Sequence, residues 1–351
     1  MNKIFYTFVL SALVLLSVQC NPKSQESDEQ LENDSIIEYA ELLSILVPKT
    51  QNVPSNLPQG TVVRTPLSNT LVYASVHCSL LEQLDALSQI GGVCDLSYIK
   101  TPALLSRAEN GKLTDAGNSM SPDIERVMSL NPDAILLSPF ENAGYGRIGK
   151  MGIPIIECAD YLETSPLGRA EWIKFFGLLY GKEVEADSIF TEVEKNYTEL
   201  RDKIGVLSSA PVVISELKSG SAWYMPGGKS YMARFFKDAG AAYPWSDNTE
   251  TGSIPLSFET VFNRAGEADI WLIKSFHVSE LSYRTLQKEY APYARFKAFR
   301  EKKIYGCDSS RCNYYEETPF RPDLLLQELA ALFHPGLFPD YRFRYYQPLS
   351  E

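Results

Sequence analysis

The sequence predicts an α/β chain of two Rossmann-like lobes joined by a single long helix. Three observations carry this reading. Short β-rich runs alternate with helical patterns from residue 61 to about 165 and again from 206 onward, the signature of parallel βαβ units. Between those stretches, residues 166–205 contain no strand signal. One passage is also written twice. SPDIERVMSLNPDAILLSP at 121–139 and SFETVFNRAGEADIWLI at 257–273 share an amphipathic segment with an early glutamate, then a turn, an aspartate and an apolar run. The spacing from Glu259 to Asp269 is two residues longer than that from Glu125 to Asp133, so the repeat is approximate.

Residues 1–20, MNKIFYTFVLSALVLLSVQC, set one lysine before an apolar stretch and end at Cys20. That stretch is too short for a spanning helix and fits an export signal. A cysteine directly after it, followed by NPKSQESDEQ, fits lipidation at Cys20, although Gln19 stands where a small residue is usual. Simple cleavage nearby is the alternative. Residues 21–60 form a tether and N-terminal extension. The part to residue 35 is polar and acidic with little to bury. In 36–60, LLSILV, a Pro-rich turn and the following TVVRT suggest an added hairpin.

The N-terminal lobe spans 61–165. TVVRT, LVYAS, IGGVCDL, DAILLS and PIIECA read as strands, with SLLEQLDAL, IERVMSL and GRIGKMG as the helices between them. Linking helices follow over 166–205, where Ile189, Val193, Tyr197, Leu200 and Ile204 recur at helical spacing and Gly205 acts as a stop. A helix of about twenty residues spans roughly 30 Å, enough to connect two lobes. The C-terminal lobe, 206–351, resumes the alternation with PVVISEL, SYMARFFKDAG, SFETVF, DIWLIKS, FKAFREKKIYGC and DLLLQELAALF. Its tail, HPGLFPDYRFRYYQPLSE, is aromatic and basic and is expected to pack on the lobe surface.

A chain of 351 residues can bury a large core, and its 44% hydrophobic and 22% charged content is ordinary for a globular protein. A net charge of −11 argues against a nucleic-acid surface, which needs a basic patch. No GxSxG, HExxH or GxGxxG occurs, and in YMPGGKSY the first glycine of a P-loop is replaced by Trp223. The three histidines, His77, His277 and His334, are far apart, and no cysteine pair has zinc spacing, so no metal site or resident cofactor is expected. Without Cys20, Cys78, Cys94, Cys158, Cys307 and Cys312 remain, an odd number for an exported chain. Cys307 and Cys312, in CDSSRC, either close a short disulfide loop or stay free.

The order of elements from about 61 to 335 resembles the periplasmic binding proteins of bacterial ABC importers for cobalamin and ferric siderophores. IERVMSLNPDAILL resembles the family's most recognisable motif, and LVYASVHCSLLEQLDALSQIGGVCDL resembles the first strand, helix and second strand before it. The resemblance implies two lobes, a rigid connecting helix and a ligand cleft between the lobes. It also implies that Glu125 and Glu259 dock into arginine pockets on the transmembrane subunits of a permease, one from each lobe. An acid at a helix N-terminus complements the macrodipole by about 0.3–1 kcal/mol, which explains each glutamate singly but not their matched positions.

In parallel sheets ligands collect at the carboxyl ends of strands. By that rule the candidate ligand-binding residues are His77, Tyr98, Phe140, Tyr145, Trp223 and Tyr224, with Arg311, Tyr314 and Tyr315 from CDSSRCNYYEETPF. Aromatic faces suit a flat or bulky ligand. With 12% aromatic residues in the chain, core packing is the competing reading for each. His77 either ligates the metal of a chelate from one axial side or is hydrogen-bonded at a helix start. Relatives of the family that bind bare zinc or manganese use several histidines, so a naked ion is not expected here.

The function expected is that of a non-enzymatic, lipid-anchored solute-binding protein. It would capture a metal chelate, a ferric siderophore or a corrinoid, and deliver it to an ABC permease. It would lie in the periplasm, anchored to the membrane, with the outer membrane left open. A surface lipoprotein that captures ligand for an outer-membrane receptor is the second reading, and a hydrolase on a related two-lobe scaffold is the third.

Overall fold

The structure is a computed structural model and describes residues 44–139, 145–276 and 281–351; the signal region, Cys20 and the tether to residue 43 lie outside the described residues. It divides into two compact units. The first holds the described residues up to 74, 85–159 and 178–181, and the second holds 75–84, 160–177 and those from 182 to 351. This differs from the division read along the sequence at 61–165, 166–205 and 206–351. The helix Ser75–Gln83 follows a strand of the first unit, yet it packs in the second against the short helix Tyr314–Glu317. The helix Glu183–Gly205, read as a linker, also belongs to the second unit.

In the first unit β1 (Ser44–Pro48) and β2 (Thr61–Thr65) pair in parallel, so the expected hairpin is not formed. The loop over 49–60 returns the chain to the start of β1. Arg64 ties that loop down, its Nη2 donating to the carbonyls of Pro48, Lys49 and Gln51 at 3.2, 3.0 and 2.8 Å. The main strands are β3 (Thr70–Val72), β4 (Ile90–Val93) and β5 (Thr114–Asp115). A small antiparallel pair follows, β6 (Gly117–Asn118) with β7 (Ser121–Pro122), then the helix Ile124–Leu130, β8 (Ala134–Leu137) and β9 (Ile155–Glu157). The sheet runs β5-β4-β3-β8-β9, all parallel, so the direction of winding reverses between β3 and β8. All four residues of β8 are buried, as a parallel strand covered on both faces requires.

The second unit repeats the plan with β10 (Val213–Ser215), β11 (Lys218–Ser219), β12 (Ala222–Pro226), β13 (Ser253–Leu256), β14 (Ile270–Ser275), β15 (Ile304–Asp308) and β16 (Gln347–Pro348). Its main sheet runs β10-β14-β15-β16, the first three parallel and β16 antiparallel. A parallel bridge from Val212 to Ala242 extends it beyond β10, so here the winding reverses between β10 and β14. Strands β11, β12 and β13 form a separate antiparallel sheet.

The written repeat is a structural repeat, and it reaches further back than the sequence shows. In each unit an antiparallel strand, β7 or β13, leads into a capped helix whose second residue is the glutamate. Asp123 caps Ile124–Leu130 by accepting from the N–H groups of Glu125 and Arg126, and Ser257 caps Phe258–Ala265 by accepting from Thr260 N–H. The two aspartates match as well. Asp133 accepts from Ser68 N–H at 2.8 Å, just before β3, and from Lys49 Nζ at 3.1 Å. Asp269 accepts from Val212 N–H at 2.8 Å, just before β10, and from Lys297 Nζ at 2.6 Å. Each aspartate thus pins the start of its own strand to the start of the neighbouring strand, which aligns the far ends where the winding reverses.

The helix Glu183–Gly205 buries Ala186, Phe190, Val193, Tyr197 and Ile204 and packs on the helix Pro322–Phe333. At its start the stripe passes through Phe190 and leaves Ile189 half-buried. The tail is held by the fully buried Glu328, whose carboxylate accepts from the Tyr341 hydroxyl at 2.9 Å and from the N–H groups of Arg344, Tyr345 and Tyr346 at 2.7, 2.7 and 2.6 Å. That clamp delivers β16 to the edge of β15.

Candidate functional site

Each unit carries a pocket where its sheet reverses, outside the carboxyl ends of the two central strands, the place where open α/β sheets hold ligands. In the first unit a cavity of about 530 Å³ opens past β3 and β8, among Tyr73, Met120, Ile124, Leu137, Tyr145 and Arg147. In the second unit a larger one, about 750 Å³, opens past β10 and β14, among Glu216, Tyr224, Tyr231, Met232, Lys274 and Glu289.

The second pocket is the more elaborately built. Glu216 directly follows β10 and holds a left-handed backbone, φ +63°, unusual for a residue with a side chain. Four hydrogen bonds enforce it. Glu216 N–H donates to Leu272 O at 2.9 Å, the Trp271 indole donates to Glu216 O at 2.8 Å, and the Trp223 indole donates to Ser215 O at 3.0 Å. Lys218 N–H donates to the Tyr293 hydroxyl oxygen at 3.1 Å. The Glu216 carboxylate meets the Lys274 ammonium, which comes from the adjacent strand β14 and also stands 6.0 Å from the centre of the Tyr314 ring. Burial works against the Lys274 charge, but the Glu216 carboxylate more than restores it and raises its pKa. Burial pushes the Tyr231 hydroxyl above its ordinary range. Close backbone approach shapes the rim: a Cβ on Gly227 or Gly228 would stand 2.2 Å from the carbonyl oxygen of Glu250 or Asn248, so the GGKS stretch is a packing device before the Ser230 cap.

The residues singled out in the sequence are divided among three settings. Tyr145 lines the first pocket, its hydroxyl donating to Glu157, and Tyr224, 50% exposed, lines the second. Tyr98 and Tyr315 are also exposed at the surface, Tyr315 edge-on to Tyr314, and Arg311 is exposed and paired with Asp308 at 3.3 Å. Three others sit in the interior of the second unit, which corrects a rim placement for them. Trp223 is 0% exposed against Trp271, Tyr293 and Phe296. Tyr314 is buried between Tyr345 and Tyr346. His77 is buried with Nε2 at 2.8 Å from Asp160 Oδ1, and Asp160 also accepts from Arg169. Phe140 lies outside the described residues.

For Trp223 the physical reason is alternation. Consecutive residues of a strand point to opposite faces, so Trp223 and Tyr224 of β12 cannot share one. Glu216, Lys274 and Tyr231 were not singled out in the sequence. The available signal was a charge ending each apolar run, in VVISE and IWLIK.

Glu125 and Glu259 are both exposed, each in the first turn of its helix. The Sγ atoms of Cys307 and Cys312 lie 3.7 Å apart, and the contact with Cys312, together with burial, raises the Cys307 pKa. Among the described residues no three His, Cys, Asp or Glu side chains group as metal ligands, and no helix is long and apolar enough to cross a membrane.

Residues 79–310 match the family model described as periplasmic binding protein. An uncharacterized lipoprotein of Methanocaldococcus jannaschii is 30% identical over 294 residues, 79% of this chain and 67% of that protein. Among solved structures, a periplasmic heme-binding protein of Pseudomonas aeruginosa superposes with a TM-score of 0.62 at 16% identity, covering 81% of this chain and 98% of that one. A molybdate-bound periplasmic binding protein of Haemophilus influenzae gives a TM-score of 0.62 at 17% identity, covering 80% of this chain and 90% of that one.

Proposed function

The chain belongs to the periplasmic binding protein family, and on that premise we propose that it is a lipid-anchored carrier which captures a metal chelate and hands it to an ABC permease. The observation that carries the reading is the second unit's pocket: about 750 Å³ at the sheet reversal, with a half-buried charge pair and the exposed ring of Tyr224. That volume suits a compact chelate, and its walls combine aromatic area with a few fixed polar groups. The first unit's pocket, with Tyr145 and Arg147, is the matching feature on the other half of the repeat. A chelate, ferric siderophore or corrinoid, is favoured over a bare ion because a ring-lined, half-apolar wall offers contact area rather than a ligand cage. Solved proteins of the same fold bind heme in one case and molybdate in another, which supports a small solute as cargo.

Glu125 and Glu259 are assigned to permease docking because both are exposed at the same position of matching helices. Cys20 is assigned to lipidation, in keeping with the lipoprotein relative. The reading is tested by native mass spectrometry and absorbance of the soluble form, lacking residues 1–20, purified from its own host. A stoichiometric, coloured small molecule containing a metal is expected. Protein that carries nothing, and that takes up no ferric or cobalt chelate on titration, contradicts it.

A further inference from the structure

Glu216 and Lys274 raise a question that the carrier reading leaves open: why a pocket for a solute holds an ion pair already satisfied. We propose that Glu216 is an internal stand-in for the anionic group of the ligand, and that a ligand bearing an anionic oxygen displaces it from Lys274. The inference rests on the carrier reading and narrows its cargo to chelates with a net negative charge or a free anionic oxygen.

Burial fixes which partner yields. The Lys274 side chain is 13% exposed and that of Glu216 is 26% exposed. A cationic ligand pairing with Glu216 would leave the Lys274 ammonium without a counter-ion in the drier position, the arrangement that buried charges avoid. An anionic ligand pairing with Lys274 leaves no uncompensated buried charge, because the Glu216 carboxylate moves toward water. Lys274 is the better-anchored group. It sits on a regular strand with its charge beside the Tyr314 ring.

The backbone of Glu216 is held in place by its neighbours. A left-handed φ at a glutamate persists only where the surroundings over-determine it, and here the indoles of Trp223 and Trp271 hold the carbonyls of Ser215 and Glu216. Those tryptophans are positioning residues. They fix the Glu216 backbone beside the pocket, so displacing the carboxylate moves a side chain and not the end of the strand. In the empty protein the pair keeps Lys274 charged and blocks adventitious anions, whose single weak contact does not repay loss of the Glu216 contact.

Titration of two probes, a ferric tricatecholate (anionic) and a ferric trihydroxamate (neutral), into the soluble form tests this. The unmodified protein is expected to prefer the anionic complex. Lys274→Met should weaken that complex about 30-fold, the size of a desolvated charge contact, while changing the neutral one little. Lys274→Arg should retain most of the affinity, which separates loss of charge from loss of fold. Glu216→Gln should bind the anionic complex more tightly, because the competitor is gone.

Weaker anionic binding by Glu216→Gln, or an unchanged anionic affinity in a Lys274→Met protein of normal melting temperature, overturns the inference. Preference of the unmodified protein for the neutral complex overturns it too, while leaving the carrier reading intact. Binding of neither complex overturns the inference, and it overturns the carrier reading as well only where the protein also carries no host-derived cargo and takes up no cobalt chelate.

Discussion

Trp223 donates its indole N–H to Ser215 O at 3.0 Å while its ring packs against Trp271, Tyr293 and Phe296 with centroids 5.3–5.7 Å apart. A buried ring with a satisfied donor contributes packing and position, whereas its neighbour Tyr224 contributes exposed area. The two should therefore separate in experiment. Trp223→Phe keeps an aromatic ring but strands the Ser215 carbonyl, at a cost of about 1–3 kcal/mol, and should lower the melting temperature. Tyr224→Ala should leave melting nearly unchanged and weaken chelate binding by more than about 1 kcal/mol. Paired thermal melts and calorimetric titrations check both, and the opposite pattern would return Trp223 to the rim. At this scale the sequence was only half legible. It marked the right loop after β10, but the strand alternation that sends Trp223 inward depends on where β12 begins. Glu216 could not be read at all, because nothing about a glutamate announces a left-handed backbone.

The repeated helix–strand element separates two acidic roles that look alike in sequence. Asp133 and Asp269 are structural. Burial tends to raise each pKa, but hydrogen bonds outweigh it, from Ser68 and Lys49 at Asp133 and from Lys297 and Val212 at Asp269, and both are held below the ordinary carboxylate value. A carboxylate with a depressed folded pKa adds stability above its unfolded pKa, and that stability is lost as pH falls through the folded one. Asp133→Asn with Asp269→Asn should thus cost stability at neutral pH. The difference from the unmodified protein should shrink below about pH 4, where the unfolded carboxylate begins to bind its proton. Denaturant midpoints measured across that range check the sign, and a gap that widens toward acid contradicts it.

Glu125 and Glu259 are exposed, and screening by water leaves them little to contribute to the fold. Glu125→Ala with Glu259→Ala should leave melting and chelate affinity near the unmodified values while abolishing uptake through reconstituted permease; normal uptake by the double variant contradicts the docking assignment. The repeat was visible in sequence because both copies keep the same order of apolar and acidic residues. The partner of each aspartate was not visible, since Ser68 and Val212 lie far away along the chain.

For the whole molecule, local periodicity gave the strong signals: parallel strands alternating with helices, a long strandless stretch, and a second pass of the same plan. Long-range pairing gave the weak ones. LLSILV and TVVRT each read as strands, but their parallel pairing depends on a loop held by Arg64, which no local pattern encodes. The helix Ser75–Gln83 follows β3 in sequence and buries its side chains in the other unit, a choice made by tertiary packing alone. The pocket follows from the topology rather than from any motif, because strand order, not strand sequence, puts Glu216 beside Lys274. The most direct measurement is an anomalous-difference map, collected at the metal absorption edge, from crystals of the soluble protein with its host-derived cargo. One metal peak is expected over the carboxyl ends of β10 and β14, within reach of Tyr224, Tyr231 and Lys274. A map with no metal peak, or with its peak away from that pocket, would contradict that expectation.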